Sequence, residues 1–219
     1  MKKNNFFSLL LALLLTVIPW VYLLLIWNEL PAVIPMHFGL DGQPDGFGPK
    51  NNVFIAPSVL SVVTLLVYFL LQVIARYNER RNLPGNAQAL SGIAVVLVLF
   101  LSGVSLLLLY WTLQQKITAI PVLLVGICLL LAYIGNRMHS IKPNHFMGFR
   151  ISWTLRNEEV WRKTHHFASR LWFLGYILLA VVLLFLNMPV LLFVFGGGVV
   201  VMLIVPVIYA YNAHIHVNR

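Results

Sequence analysis

The sequence predicts an all-α membrane protein with six transmembrane helices, because of its composition and the length of its apolar stretches. Of the 219 residues, 60% are hydrophobic and 10% are charged, whereas about a quarter of the residues in soluble domains are charged. Six apolar stretches hold about 18 to 24 residues each, enough to cross a hydrocarbon core of about 30 Å as helices. They comprise residues 6–27, 53–75, 89–112, 117–135, 168–186 and 190–211.

Lysine and arginine indicate how these helices are oriented. Thirteen of the 15 basic residues fall on one side of the predicted membrane, and Lys50 and Lys116 fall on the other. Because loops rich in Lys and Arg stay in the cytoplasm, we expect both termini in the cytoplasm and the first loop, residues 29–52, outside. The net charge of +9 is therefore mainly a topology signal, and we expect no direct contact with nucleic acid.

The apolar stretches themselves exclude several functions. The first follows Lys2 and Lys3 but continues to Trp27 without a small-residue cleavage site, so we expect a membrane helix and not a cleaved signal peptide. The single cysteine, Cys128, leaves no partner for an intramolecular disulfide and no thiolate cluster for a metal. No Asp, Glu, Lys, Arg or His lies at bilayer depth, which argues against ion-coupled transport.

Two polar segments separate these stretches and should carry the function. We expect two domains: residues 1–86, with two helices and the first loop, and residues 87–219, with four helices and a basic segment, residues 142–168. The first loop holds four prolines and four glycines, which forbid a continuing helix and predict a compact external loop of successive turns. These are Pro31, Pro35, Gly39, Gly42, Pro44, Gly46, Gly48 and Pro49.

The first loop also holds candidate ligand-binding residues: His37, Phe38, Asp41, Asp45 and Phe47. Imidazole and carboxylate groups are ordinary ligands of divalent cations. Asp before Gly is also common turn chemistry, and the composition favours that structural role for the aspartates. Metal binding and recognition of an extracellular partner by His37 and its neighbours stay open as alternatives.

The basic segment contains the start of a helix. Asn157 followed by Glu158 and Glu159 is typical of an N-cap with acidic residues in the first turn. We interpret the following residues as a short interfacial helix that feeds into the fifth span, with Trp153 and Trp161 at headgroup depth. A fifth helix that simply begins early in the cytoplasm is the alternative.

Six histidines fall on the predicted cytoplasmic side, which suggests a metal site as one interpretation. No His-Glu-x-x-His spacing is present, and no cytoplasmic Asp completes a carboxylate-rich site. We therefore predict no catalytic residue, no metal ligand and no cofactor, and lipid headgroup binding is the simpler expectation for this segment. The histidines are His139, His145, His165, His166, His214 and His216.

Both segments resemble the SdpI family of bacterial immunity proteins. The first loop is similar to the domain of unknown function that commonly precedes the family signature, through Leu30, Pro31, Ile34, Pro35, His37, Phe38, Gly42, Asp45 and Lys50. The basic segment is similar to the signature itself, through Asn144, Gly148, Arg150, Thr154, Leu155, Asn157, Glu159, Val160, Trp161 and His165. The sequence departs from the family at His166, where Arg is frequent, and at Ser169, where Gly is frequent.

The resemblance implies a multi-pass protein of the bacterial cell membrane that is not an enzyme and that protects its producer from a secreted, membrane-active peptide toxin. In the founding system of that family, the protein also transmits a signal by holding a cytoplasmic transcriptional repressor at the membrane. The implied partners are therefore membrane lipids, a toxin outside and a repressor inside. The cytoplasmic candidate residues are Asn144, Gly148, Arg150, Thr154, Asn157, Trp161 and His165.

Two functions of other classes stay open beside immunity. One is a membrane sensor or scaffold for an unassigned ligand. The other is a metal-dependent membrane enzyme that uses the cytoplasmic histidines.

Overall fold

A computed structural model describes residues 2–39, 43–118, 120–144 and 146–217, with side chains from residue 6 onward. Within these residues the chain forms seven α-helices and one two-stranded hairpin, and short 3₁₀ turns flank the hairpin. The elements are α1 Lys2–Ile26, β1 Val33–Phe38, β2 Pro44–Pro49, α2 Ile55–Arg80, α3 Pro84–Gln114, α4 Ile120–Met138, α5 Ser152–Arg156, α6 Glu158–Leu183 and α7 Val190–Val217.

Six of the helices that the described residues form are long and apolar enough to cross a membrane, namely all except the five-residue α5. The prediction of an all-α protein with six spans is therefore confirmed. Many apolar side chains on these helices are exposed, such as Leu24, Phe185 and Phe193. Such exposure is expected where the surroundings are lipid. Several helices run past the predicted limits because hydropathy marks the hydrocarbon core and not the end of the helix.

Residues 1–71 and 94–123 form one compact unit. Its first loop rests on a core cluster made of Leu23, Ile26, Leu30, Ile34, Val53 and Leu109. A second cluster joins α1, α2 and α3 through Ala12, Tyr68, Ala94 and Val98. Hydrogen bonds add to this packing: Trp20 Nε1 donates to Ser61 Oγ over 2.9 Å, and the Ser8 and Tyr68 hydroxyls lie 2.9 Å apart.

Residues 72–93 and 124–219 form a second compact unit. In it α6 packs against α7, where Trp172 Nε1 donates to the Met202 carbonyl over 2.7 Å. Helix α4 approaches α6 closely at Gly135, where a Cβ atom would lie 2.5 Å from the Cβ of Trp172. The predicted domain division at residue 86 stays a prediction.

The first loop contains strands that the sequence analysis did not predict. Strands β1 and β2 pair antiparallel, with Val33 opposite Pro49 and Pro35 opposite Phe47. Prolines occupy positions in both strands, which a two-stranded ribbon tolerates because both of its strands are edges. The expectation of turns alone was therefore incomplete.

Helix α6 is continuous from Glu158 to Leu183. The interpretation of a separate interfacial helix was therefore wrong, and the alternative, a fifth helix that begins early, is the one observed. The predicted N-cap is confirmed, because Asn157 Oδ1 accepts hydrogen bonds from the backbone N–H groups of Glu159 and Val160 over 2.9 and 3.1 Å. Neither proline nor glycine occurs between residues 158 and 174. Nothing in the sequence therefore interrupts the helix once Asn157 has started it.

Candidate functional site

The hairpin of the first loop is fixed to its unit at its base. Ile34 in β1 is buried in the core cluster, and the Lys50 N–H donates to the Ala32 carbonyl over 2.9 Å where the two strands converge. The Lys50 ammonium also lies 4.4 Å from the ring centre of Trp27, within reach of a cation–π interaction. The base of the hairpin is therefore fixed, and the end near Phe38 and Pro44 lies away from it.

The structure brings together two of the candidate residues of the first loop. His37 Nδ1 lies 2.5 Å from Asp45 Oδ1 across the strands, and the two side chains are 75% and 54% exposed. Phe47 is exposed and Phe38 is half-buried. Asp41 lies outside the described residues. Among the described residues, no three His, Cys, Asp or Glu side chains gather as a metal site would require.

An apolar cavity of about 440 Å³ lies beside the hairpin. The first loop contributes Ile34, Pro35, Met36, Phe38 and Asn52, and the cavity is completed by Val53, α2 and α3. Ile55 and Val59 of α2 line it and are at least half exposed. Phe38 was among the predicted candidates, but the α2 and α3 residues were not, because an apolar residue that lines a cavity has the same sequence pattern as one that faces lipid.

His165 is the centre of the basic segment. It is 1% exposed, its Nδ1 donates to the Trp161 carbonyl over 2.8 Å, and its Nε2 accepts from the Phe149 N–H over 2.9 Å. Its ring stacks on the Trp161 indole with 4.0 Å between ring centres. Because Nε2 faces a backbone donor, the imidazole is neutral with its proton on Nδ1. Both nitrogens are occupied, so His165 positions the backbone and offers no lone pair to a metal.

The close approach of His165 explains why a glycine occupies position 148. Its φ angle is +100°, a conformation that disfavours residues with a side chain. A Cβ atom at this position would also overlap His165 Nε2. The glycine therefore lets the chain pass His165 closely enough for Phe149 to donate its hydrogen bond.

Two further candidates bond to the backbone that precedes α6. Trp161 is 1% exposed, and its Nε1 donates to the Ile141 carbonyl over 2.7 Å. Thr154 is fully buried, and its hydroxyl lies 2.6 Å from the Phe149 carbonyl and 3.2 Å from the Ile151 N–H. These side chains replace regular secondary structure as partners for the backbone of residues 141–151.

Asparagines organise the start of the segment. Asn144 Oδ1 accepts from the N–H groups of Phe146 and Met147 over 2.7 and 2.9 Å, which closes a tight turn. Buried Asn86 pairs with the backbone of Lys142: its Oδ1 accepts from the Lys142 N–H over 2.9 Å, and its Nδ2 donates to the Lys142 carbonyl over 3.2 Å. Asn86 was not among the predicted candidates, because an asparagine near a helix start indicates capping and its partner is 56 residues away.

Arg150 differs from the other candidates of the basic segment. It is exposed, and within the described part of the chain it makes neither a hydrogen bond nor an ion pair. A cavity of about 240 Å³ occurs in the same unit, with Tyr77, Asn78, Arg81, Asn144, Phe146 and Leu155 among its lining residues. The Phe146 ring meets the Tyr77 ring edge-on at 5.7 Å, and the Arg81 guanidinium lies 5.3 Å from the Tyr77 ring centre.

These features define a multi-pass membrane protein whose two polar segments are ordered and adjoin cavities. Comparison with known proteins agrees: residues 140–210 match the family model described as "SdpI/YfhL protein family", and residues 14–60 match a domain of unknown function, DUF1648. The chain belongs to the SdpI/YfhL family and is a multi-pass protein of the bacterial cell membrane.

Two relatives show how far the similarity extends. A protein of Bacillus subtilis named "Immunity protein SdpI" is 25% identical over 170 residues, which cover 78% of this chain and 76% of the relative. An uncharacterized protein of Archaeoglobus fulgidus is 36% identical over 69 residues, which cover 30% of this chain and only 38% of that relative. No solved structure matches the chain.

Proposed function

We propose that this protein is a membrane immunity protein that neutralises a secreted, membrane-active peptide by binding it at the outer face of the membrane. The similarity to the Bacillus subtilis immunity protein over 78% of the chain supports the class of function. The observation that carries the proposal is the apolar cavity of about 440 Å³ beside the first loop, which is large enough for two or three apolar side chains. The distribution of Lys and Arg supports the outer location.

The chemistry of the cavity suits the apolar face of an amphipathic peptide. Burying one Leu or Phe side chain from water contributes about 1.5–3 kcal/mol. The same side chain gains little when it comes from lipid, because lipid tails are as apolar as the cavity. We therefore expect the protein to intercept the peptide at the aqueous surface, before the peptide inserts, with the exposed His37 and Asp45 available to its polar groups.

The cavity can be filled without disturbing the fold. Val59→Trp should occupy it, since Val59 lines the cavity and is 56% exposed, whereas Val62 is exposed on the same helix and does not line it. Cells that express each variant would be challenged with a panel of secreted membrane-active peptides. We expect Val59→Trp to reduce protection about tenfold or more, as loss of one buried anchor would, and Val62→Trp to protect as the parent does.

Equal protection by both variants, at equal membrane levels of protein, would contradict binding in this cavity. A deletion strain that keeps full resistance to every peptide that its parent resists would instead favour the alternative of a sensor or scaffold. Neither matched family description names a catalytic activity, and the proposed function needs none.

We further propose that the basic segment faces the cytoplasm and binds a transcriptional repressor there. The cavity of about 240 Å³ pairs the Arg81 cation with the apolar rings of Tyr77 and Phe146. A partner would therefore present an acidic group next to an apolar side chain, with exposed Arg150 adding a second contact. Co-purification of a repressor encoded beside the gene tests this. Arg81→Gln should weaken capture, and Arg80→Gln, which removes a neighbouring charge outside the cavity, should not.

A further inference from the structure

A basic cavity of about 290 Å³ lies between α6 and α7. It is lined by Arg162, Lys163, His166, Phe167, Arg170 and Tyr209. The Phe167 and Tyr209 rings stack almost in parallel, with 4.2 Å between ring centres and 8° between ring planes. Four nitrogen-bearing side chains are thus gathered beside a rigid pair of aromatic rings, an arrangement that neither family description explains.

The cavity lies at the depth where α6 passes from polar to apolar surroundings. Up to Arg170, all the exposed residues of α6 are polar: Glu158, Glu159, Arg162, His166 and Arg170. Beyond it, all of them are apolar: Phe173, Leu174, Ile177, Leu178, Val181 and Val182. Phosphate groups of a bilayer occupy this boundary, between water and hydrocarbon.

Helix α7 shows the same transition at Tyr209. Val207 and Ile208 before it are exposed and apolar, whereas the exposed residues after it, Tyr211, Asn212 and His216, each carry a polar group. Both walls of the cavity therefore cross from water to lipid at the level of its aromatic pair.

Two of the cations that line the cavity are available to a ligand. Lys163 is held by Glu159, with 2.8 Å between Nζ and Oε1. Arg162 and Arg170 are exposed, and within the described part of the chain neither forms an ion pair with a carboxylate at contact distance. The charge of Arg162 acts on Glu159 from further away. The Tyr209 hydroxyl has no hydrogen-bond partner among the described residues. Two guanidinium groups and a phenol are donors that suit the oxygens of a phosphate.

We propose that this cavity binds the phosphate headgroup of one anionic phospholipid. Arg162 and Arg170 would hold the phosphate, the Tyr209 hydroxyl would donate to it, and the exposed apolar residues Phe173 and Leu174 would contact the acyl chains. The boundary position favours a lipid over free phosphate as the source, because acyl contacts are available only to a lipid. The site is independent of toxin or repressor binding.

The test uses the full chain, purified in mild detergent and depleted of lipid. Phosphatidylglycerol and phosphatidylcholine would be titrated separately, and bound lipid counted by native mass spectrometry. We expect one phosphatidylglycerol to bind at least about tenfold more tightly than phosphatidylcholine. The double variant Arg162→Gln/Arg170→Gln should lower that affinity about 30-fold, as expected for two cations removed from a lipid headgroup.

Three matched variants separate this site from general surface charge. Arg80→Gln/Arg156→Gln removes two exposed charges outside the cavity and should change the affinity by no more than about twofold. Arg162→Lys/Arg170→Lys keeps the charges and should retain most of the binding. Tyr209→Phe removes only the hydroxyl and should cost about threefold, and its retained ring keeps the stack on Phe167 and hence the fold.

Several results would overturn the proposal. One is an equal loss in the Arg80→Gln/Arg156→Gln variant, and another is equal binding of the two lipids. A third is displacement of phosphatidylglycerol by millimolar inorganic phosphate, which would make the site one for free phosphate. Unchanged thermal unfolding of each variant in detergent establishes that any loss of lipid is local.

Discussion

The first loop and the basic segment are both polar connections between membrane helices, yet they use their polar residues in opposite ways. In the first loop, His37, Asp45 and Phe47 are exposed on a backbone-paired hairpin. In the basic segment, Thr154, Trp161 and His165 are buried and serve as hydrogen-bond partners for a backbone that has little regular structure. In the hairpin, the two strands form the hydrogen bonds of the backbone, so its exposed side chains can contact a ligand.

The two segments therefore differ in role: the exposed side chains of the hairpin can bind a ligand, and the buried side chains of the basic segment stabilise the fold. We expect substitutions in the buried network to act on folding, and substitutions in the hairpin to act on binding with little effect on stability. Of the basic segment's candidate residues, Arg150 is the exception, since it is exposed and without a partner in the described part of the chain. We therefore expect substitution of Arg150 to act on binding with little effect on stability.

The largest effect is expected for His165→Ala. The substitution removes two hydrogen bonds, leaves the partly buried Phe149 N–H without an acceptor and removes the stack on Trp161. We expect a loss of about 3–5 kcal/mol in the free energy of unfolding. Thermal unfolding of the purified protein in detergent measures it. His166→Ala, at the adjacent exposed position, is the control and should leave the unfolding temperature nearly unchanged.

Gly148→Ala should have the next largest effect. The new Cβ would overlap His165 Nε2 in a backbone conformation that alanine disfavours, at a cost of about 2–3 kcal/mol. Gly103→Ala is the matched control, because no atom lies within 4 Å of its would-be Cβ and it occupies a helix.

A double-mutant cycle then tests the cause of the Gly148 effect. In the His165→Ala background the overlap is gone, so Gly148→Ala should cost only the strain of its φ angle, about 1 kcal/mol. Strictly additive losses would show that Gly148 acts independently of His165, and the central contact of the basic segment would then be misassigned.

These residues also show where sequence reasoning succeeds and where it fails. The six spans and the Asn157 cap were predictable, because hydropathy over about 20 residues and the identity of a cap residue are local properties. The hairpin was not, because Pro and Gly are poor strand formers, and β1 is formed only through its pairing with β2. Asn86 was missed for the same reason, since its role exists only once folding brings Lys142 to it.

The smallest stability effect is expected in the hairpin. His37→Ala should lower the free energy of unfolding by no more than about 1 kcal/mol, because its contact with Asp45 is exposed to solvent. Under the proposed function the same substitution should still weaken protection against the bound peptide severalfold, since an exposed polar pair contributes to recognition without contributing to the fold. Unfolding temperature and survival of challenged cells would be measured on the same variant, with Asp45→Asn as its partner. A His37→Ala protein that unfolds as easily as His165→Ala would remove the distinction between the two segments, because the hairpin side chains would then be structural as well.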